Sequence, residues 1–440
     1  MSKNPLSQVL SFLPTVQGHR RFSLVQGRAV SPGQLFFQAH KLSLRLPHGN
    51  YAVNRCQNRY LFTLCYLAVL FKGQVNLLPQ NQSPGCLQKL RDHYSGLYCI
   101  SDDPACECDV VVVALEELDF QGNAAFPAIP KNRIASISFT SGSTGMPKEI
   151  TKTLGEFLKS ARLATERLGI ARGEKLLLST VPAQHMYGLE SSVFWPLVAD
   201  ATIQSERPFF PEDIRRNLAQ ADQPCILIST PTHLKACVES KLRWSNLAGV
   251  ISSTAMMPSR LAASIENTFQ APLLEIFGST ETLSFATRRR THSERWRPYA
   301  GVQVEIDDLG CTVQGGHLAQ AVHLDDRVEV HADGCFILKG RSSDLVKIGG
   351  KRASLSELNR LINEIDGVRD GLFYRTEHGR LGVLVVSRRS RKSILEELRR
   401  SIDDVFLPRR FHRIPELPRN DLGKISSFEL NRLIGELDIA

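Results

Sequence analysis

Residues 139–148, FTSGSTGMPK, gather hydroxyls, glycines and one lysine into a segment with no hydrophobic period. Thr140, Ser141, Ser143 and Thr144 offer hydroxyl donors, and Lys148 adds a positive charge. Gly142 and Gly145 permit tight or left-handed backbone and close approach to a ligand. Successive backbone N–H groups in such a turn form an anion-binding concavity. Together these groups suit a polyphosphate; the competing interpretation is a merely flexible surface loop. The segment is not a G-x-x-x-x-G-K-[ST] phosphate loop, because Pro147 precedes the lysine and Glu149 follows it. It follows a β-like run and precedes a helix-like one.

Three later segments carry residue types for the same chemistry: EIFGSTET (275–282), DDRVEVHADGCFILKGRSSDLVKIGGKR (325–352) and LPRNDLGKISSFEL (417–430). Alone, Glu281 reads as a solvated carboxylate and Gly423-Lys424 as an ordinary turn. In this order, after FTSGSTGMPK, the four segments resemble the signatures of the adenylate-forming superfamily: acyl- and aryl-CoA synthetases, amino-acid adenylation domains and luciferases. The resemblance covers roughly residues 50–435.

The resemblance implies a site residue by residue. The loop from Thr140 to Lys148 would hold the phosphates of ATP. Phe277, where Tyr is commoner, would stack near adenine, with Thr254 and Ala255 beside it. Gly278 belongs to the same motif; Thr280 would meet phosphate and Glu281 would bind magnesium. Asp326 falls at the ribose-binding carboxylate and Arg341 at a ribose- or phosphate-facing arginine. Leu324-Asp325 replaces the usual Thr-Gly before that Asp. Ser343 stands at the hinge, usually Asp or Lys, and a hinge need only absorb backbone rotation. Gly350 matches the glycine lining the thiol tunnel. Lys424 matches the catalytic lysine. A carboxylate attacks the α-phosphate while both are anionic, so a cation bridging them lowers the barrier.

By the same resemblance His185 stands at the wall of the acyl pocket, with Ile276, Ser284 and Phe285 lining it. Amino-acid adenylation domains carry an Asp where this chain has Met186. An unpaired buried ammonium is costly, which argues against α-amino acids. An apolar slot with a polar handle accommodates an aryl acid or a medium acyl chain. Glu149, where most members have Gly, is similar to short bacterial ligases that load aryl or acyl starters onto carrier proteins. The implied activity is an acid–thiol ligase: ATP and magnesium form an acyl-adenylate, which passes to coenzyme A or to carrier-protein phosphopantetheine. The alternatives are a catalytically silent nucleotide-binding relative, an amino-acid adenylation enzyme, and a phosphotransfer NTPase releasing ADP.

Elements must position these groups. The alternation of short apolar runs (KLLLST, CILIST, AGVISST, LLEIF) with helix-like segments predicts an α/β fold: mostly parallel sheets covered by helices. CDVVVVALEEL (108–118) reads as a buried strand, LFTLCYLAVLF (61–71) as a buried helix and residues 153–170 as an amphipathic helix. Near Gly340 the character changes: strand, turn, strand, Gly-Gly turn, helix, then GLFYRT and LGVLVVS as strands, KSILEELRRSIDDVF as a helix, and a terminal helix. The expected division is a large N-terminal domain, 1–341, and a small mobile α+β domain, 342–440.

The 440 residues are 42% hydrophobic and 22% charged, enough apolar material for a sizeable core. The longest apolar run is too short to span a bilayer and no signal peptide is legible, so a cytoplasmic protein without a transmembrane segment is expected. Ten cysteines without CxxC pairs read as free thiols, and no zinc set is complete. Residues 341–440 hold 20 Lys/Arg against 15 Asp/Glu, part of a net charge of +9. SRRSRK (387–392) and PRRFHR (408–413) are the dense patches. They are solvated surface or they attract an anionic partner: a nucleotide, coenzyme A or an acidic acyl carrier protein. Aromatic residues do not interleave with the charges, so nucleic acid is not favoured.

Overall fold

The computed structural model describes residues 20–79, 81–106, 110–140, 148–308, 310–348, 350–376, 379–420, 423 and 425–439; of Val110, Thr140, Ser343, Ser427, Asp438 and Ile439 only the backbone is described. The fold is α/β. In chain order the strands of the large sheets are β1 (Ser23–Val25), β2 (Arg28–Val30), β3 (Tyr51–Asn54), β4 (Val75–Leu78), β5 (Leu97–Ser101), β6 (Val110–Val112), β7 (Ile134–Thr140), β8 (Lys148–Thr153), β9 (Lys175–Ser179), β10 (Ala201–Gln204), β11 (Cys225–Ser229), β12 (Leu247–Ser252), β13 (Leu273–Ser279), β14 (Leu283–Arg288) and β15 (Arg297–Pro298). One sheet has nine strands in the order β15-β14-β13-β12-β11-β9-β10-β1-β2; the other has six, β6-β5-β3-β4-β7-β8.

The neighbours from β10 through β13 pair in parallel, as the apolar runs predict. Their residues are buried on both faces, so each reads as continuous hydrophobic sequence rather than as an alternation. Ligands in such sheets bind beyond the carboxyl ends of the parallel strands. Here those ends carry Thr180, Thr230, Ser253-Thr254 and Phe277 to Ser279.

Helix Arg59–Phe71 is the expected buried helix. Asn58 caps it, its Oδ1 accepting from Tyr60 N at 3.0 Å and Leu61 N at 3.1 Å. Helix Leu154–Arg167 begins on a capping box, in which Thr153 Oγ1 accepts from Glu156 N and Glu156 accepts from Thr153 N. No helix among the described residues is long and apolar enough to cross a membrane.

Several local expectations are corrected. The buried strand expected over 108–118 is only Val110–Val112, at the edge of its sheet with Val112 42% exposed, and Leu115–Glu117 is a 3-10 turn. The segment after the hydroxyl-rich loop is a strand before it is a helix: β7 and β8 pair antiparallel, and the helix starts only at Leu154. Ile150, Thr151 and Thr153 are β-branched and favour a pleated surface. The helix expected over KSILEELRRSIDDVF spans only Arg391–Arg399; Asp403 then caps a separate 3-10 turn, Asp404–Phe406. Part of the PRRFHR patch is strand β25 (Arg410–Arg413), at the sheet edge.

The remaining strands are β16 (Val302–Ile306), β17 (Cys311–Gly315), β18 (Val322–Leu324), β19 (Asp326–Val330), β20 (Phe336–Arg341), β21 (Leu345–Ile348), β22 (Lys351–Ser354), β23 (Val368–Arg375) and β24 (Leu381–Ser387). Strand β22 lies between the Gly-Gly turn and helix Leu355–Glu364, where the sequence pattern predicts helix directly. One apolar cluster gathers residues of β21, β23, β24 and helices Leu355–Glu364 and Arg391–Arg399, including Ile362, Phe373, Val383 and Ile394. It shares no member with the clusters covering the two faces of the nine-stranded sheet.

Candidate active site

The residues from Ile276 to Phe285 occupy one hairpin, β13–β14. Gly278 pairs with Ser284, and a Cβ at Gly278 would sit 2.1 Å from the Leu283 carbonyl oxygen, so only glycine fits there. Ser279 N donates to Thr282 Oγ1 at 2.9 Å and closes the turn that presents Thr280 and Glu281. Leu283 has a φ of 57°, a left-handed conformation that is strained for a side chain of its size. His317 Nε2 lies 2.6 Å from the Thr282 carbonyl. Burial pushes the His317 imidazole down to about 4, so it stays neutral in this contact. Below the turn, Glu275 and Arg288 form a buried bidentate pair at 2.7 and 2.9 Å. Arg288 also lies 4.3 Å over the Trp296 ring.

Phe277 packs on Phe285, Trp296 and Phe336, with ring centroids 5.2, 5.3 and 6.0 Å away. Ser253 Oγ donates to the Ile276 carbonyl at 3.1 Å and ties the end of β12 to β13. Thr254 follows with a φ of 81°. A β-branched residue at positive φ is an outlier of the kind that clusters at binding sites. Ala255 beside it is exposed.

Thr140 and Lys148 are cross-strand partners at the mouth of the β7–β8 hairpin, with Lys148 exposed. Ser141, Gly142, Ser143, Thr144 and Gly145 lie outside the described residues. The helix after β8 reaches β14, because Ser160 Oγ lies 3.4 Å from the Ser284 carbonyl oxygen. The hairpin that bears the hydroxyl-rich loop and the hairpin that bears Glu281 are thereby parts of one packed unit.

His185 is half-buried and caps the one-turn helix Met186–Leu189 without a side-chain cap bond. Met186, Ile276, Ser284 and Phe285 are all buried. Glu190, four residues after Met186, is buried and bonded to Ser284, with Oε2 accepting from Ser284 Oγ at 2.6 Å. Sequence reasoning passed over Glu190. The available signal was a lone acid inside the apolar stretch HMYGLESSVFWPL.

Asp326 and Arg341 face each other across β19–β20, with Arg341 Nε 3.3 Å from Asp326 Oδ1. Burial raises the Asp326 carboxyl above its usual range, while Arg341 pulls the other way. Ser343 sits in the 3-10 turn Ser342–Asp344 that follows β20. Gly350, with a φ of 79°, is exposed on the β21–β22 turn, and a Cβ there would meet nothing within 4 Å; no described contact brings it to the β13–β14 hairpin.

Lys424 lies outside the described residues, but its neighbour Gly423 is informative. A Cβ on Gly423 would sit 2.5 Å from Thr232 Oγ1, on helix Pro231–Glu239, which follows β11. The turn before Lys424 therefore meets the carboxyl edge of the nine-stranded sheet. Arg419 holds this turn: Nη1 donates to the Gly423 carbonyl at 2.7 Å, while Nε and Nη2 grip Asp370 at 2.7 and 2.8 Å. Neither Arg419 nor Asp370 was legible in the sequence, since no local pattern joins residues on separate elements. Further links bridge the same two bodies. Lys235 Nζ donates to the Arg369 carbonyl, and Arg260–Asp366, Arg369–Glu239 and Arg290–Glu364 pair at 3.3, 3.8 and 3.7 Å.

The model of the family described as AMP-binding enzyme matches residues 44–317. The 4-chlorobenzoate–CoA ligase of an Arthrobacter species is 24% identical over 370 residues, 73% of this chain and 71% of that one. The 4-coumarate–CoA ligase of Cereibacter sphaeroides is 28% identical over 306 residues, 66% of this chain and 69% of that one. Among solved structures, the o-succinylbenzoate coenzyme A synthetase of Bacillus subtilis in complex with AMP superimposes with a TM-score of 0.78 at 18% identity, covering 96% of both chains.

Proposed function

The chain belongs to the AMP-binding enzyme family, and on that premise we propose that it activates an aryl or acyl carboxylic acid, not an α-amino acid, with ATP. Pyrophosphate leaves, and the acyl group passes from the adenylate to a thiol, either coenzyme A or the phosphopantetheine of a carrier protein. The observation that carries the proposal is the meeting of Gly423 with Thr232. It sets the turn before Lys424 against the strand ends beside Thr254 and the Phe277–Glu281 motif. The acid classes in the names of the relatives, chlorobenzoate, coumarate and succinylbenzoate, support an aromatic substrate.

In this proposal residues 1–341 form the large domain and 342–440 the small one, pivoting about Ser343. Thr140, Ser141, Gly142, Ser143, Thr144, Gly145 and Lys148 cradle the phosphates. Thr254, Ala255, Phe277 and Gly278 flank the base, and Asp326 with Arg341 holds the ribose. His185, Met186, Ile276, Ser284 and Phe285 surround the acid. Lys424 bridges the two anions as the bond to phosphorus forms. Rotation then removes Lys424 and brings in the Gly350 turn for the thiol. Glu281 makes no ion pair with any described residue, so its half-buried carboxylate is free to hold a divalent cation beside Thr280. A magnesium ion held there would supply neutralisation of the departing pyrophosphate charge.

The carrier-protein variant of the proposal rests on the exposed cations Arg388, Arg391 and Lys392, whereas Arg389 is committed to Glu397 at 2.9 Å. The deciding experiment is a pyrophosphate-release screen over aryl, hydroxyaryl and fatty acids, repeated with coenzyme A and with carrier protein. Acid-dependent pyrophosphate with AMP supports the proposal. ADP and phosphate, or ATP binding without acid-dependent release, contradicts it.

A further inference from the structure

Glu190 takes no part in acid activation as proposed, yet it is a carboxylate only 4% exposed. It opens a π-helical stretch, Glu190–Phe194, between two short α-helices. Such insertions re-aim side chains and recur at functional sites. Met186 lies one turn earlier, and residues four apart share a helix face. That face meets β14 at Ser284, the cross-strand partner of Gly278. The carboxylate is therefore bonded to the hairpin that carries Thr280 and Glu281.

Its hydrogen bonds are incomplete. Among the described residues Oε1 accepts only from Ser284 N, at 3.1 Å. Oε2 accepts from Ser284 Oγ at 2.6 Å, with Ser284 N at 3.2 Å and Ser160 Oγ at 3.4 Å. Ser160 has one proton and divides it with the Ser284 carbonyl oxygen. An ionised carboxylate accepts about four hydrogen bonds, so acceptor capacity remains open at Oε1. No described cation pairs with it. Lys152, from β8, is the charge that faces it, and Lys152 is bonded to Glu156 at 3.2 Å. Tyr187 and Tyr299 are the other titratable groups alongside. The Tyr299 hydroxyl is buried and faces the Ser284 side chain, but makes no hydrogen bond of ordinary geometry among the described residues. A buried anion whose facing cation is bonded elsewhere, next to a buried hydroxyl that is only loosely met, is expensive in a core that only has to pack. It is explicable where a ligand completes the network.

The geometry points to Glu190 as a specificity-determining residue that accepts a hydrogen bond from a donor at the far end of the acid substrate. The class selected is aromatic acids bearing a phenolic hydroxyl or an amine, over unsubstituted aryl acids and fatty acids. This rests on the acid-activation proposal. A site built around a hydrogen-bonding group rejects the analogue that lacks it, because the buried acceptor is then left unmatched. Burial pushes the Glu190 carboxyl up to about 7. Only the ionised form has the full acceptor capacity, so the preference for donor-bearing acids weakens as pH falls through that region.

The test is kcat/KM for pyrophosphate release with 3- and 4-hydroxybenzoate, 4-aminobenzoate, benzoate, 4-methylbenzoate and octanoate. It uses the full chain, in the wild type and in Glu190→Gln and Glu190→Leu, from pH 5.5 to 8.5. The wild type is expected to favour one donor-bearing acid over 4-methylbenzoate by about 10²-fold at pH 8. That ratio falls at low pH, and Glu190→Leu brings it to within a few-fold of one. An unchanged ratio in either variant overturns the inference while acid activation stands. So does a wild-type preference for octanoate, or a pH-independent ratio, and neither of these needs a variant to fold. Absence of pyrophosphate release with every acid overturns the acid-activation proposal, and this inference with it.

Discussion

Two arginine–carboxylate pairs of the same bidentate form support opposite ends of the site, and their burial differs. Glu275–Arg288 lies under the β13–β14 hairpin with side chains 4% and 6% exposed. Asp370–Arg419, which holds the turn before Lys424, is 25% and 24% exposed. Of the pairs that bridge the two bodies, Arg260–Asp366 and Arg369–Glu239 are more open still, at 62% and 90% and at 68% and 49% exposed, whereas Arg290 is 4% exposed and meets Glu364 only at 3.7 Å. Breaking a buried pair strands a charge in low dielectric, whereas exposed pairs contribute about 0–1 kcal/mol each and are screened by salt. One half of the site is thus built as permanent architecture. The other half is held mostly by exposed contacts, weak enough to be released, as the proposed departure of the small domain after adenylate formation requires.

The contrast can be broken at several points, from strong to weak. Lys424→Ala should lower ATP–pyrophosphate exchange about 10³-fold, while thioester formation from supplied acyl-adenylate largely survives. Equal loss of both half-reactions would abolish the asymmetry. Arg288→Leu should cost about 3–5 kcal/mol in a denaturant melt, by leaving Glu275 buried and unpaired; a loss below about 1 kcal/mol would mean that the hairpin does not depend on it. Arg419→Ala should reduce exchange about tenfold, with little change in melting temperature, because it frees the Gly423 carbonyl without emptying a core. A large stability loss with unaltered exchange would make it structural only. Reversing Arg388 and Lys392 to Glu should raise the carrier-protein KM a few-fold at low salt and leave the coenzyme A reaction nearly unchanged. Unaltered carrier kinetics would remove the electrostatic case for a carrier.

How much was legible follows the same division. The Phe277–Glu281 motif could be picked out by resemblance because its residues follow one another within a few positions, whereas the β13–β14 hairpin that presents them was not read, since β14 is joined to β13 only in the folded chain. The parallel core was legible as continuous apolar runs. Strand β8 was missed because charged Lys148, Glu149 and Lys152 mask its β-branched residues. Strand β25 was missed because its arginines read as a surface patch, although charge is how edge strands avoid pairing with other chains. Arg419 could not be read at all, since its partner lies 49 residues away and only the folded chain joins them. Glu190 was visible as an acid among apolar residues, but its contacts with Ser160 and Ser284 come from distant segments.

The docking of the two bodies through Thr232 and Gly423 carries the most weight. A Cβ at position 423 would lie 3.6 Å from that of Thr232, within the usual range for a disulfide. Joining Thr232→Cys to Gly423→Cys pins the two bodies in this arrangement, and the oxidised and reduced forms of the same protein can be compared directly. The account predicts that the oxidised form keeps ATP–pyrophosphate exchange and loses thioester formation, and that reduction restores it. Thioester formation at the same rate in the cross-linked form would contradict the pivot, and loss of exchange on oxidation alone would contradict the assignment of this contact to the adenylating arrangement.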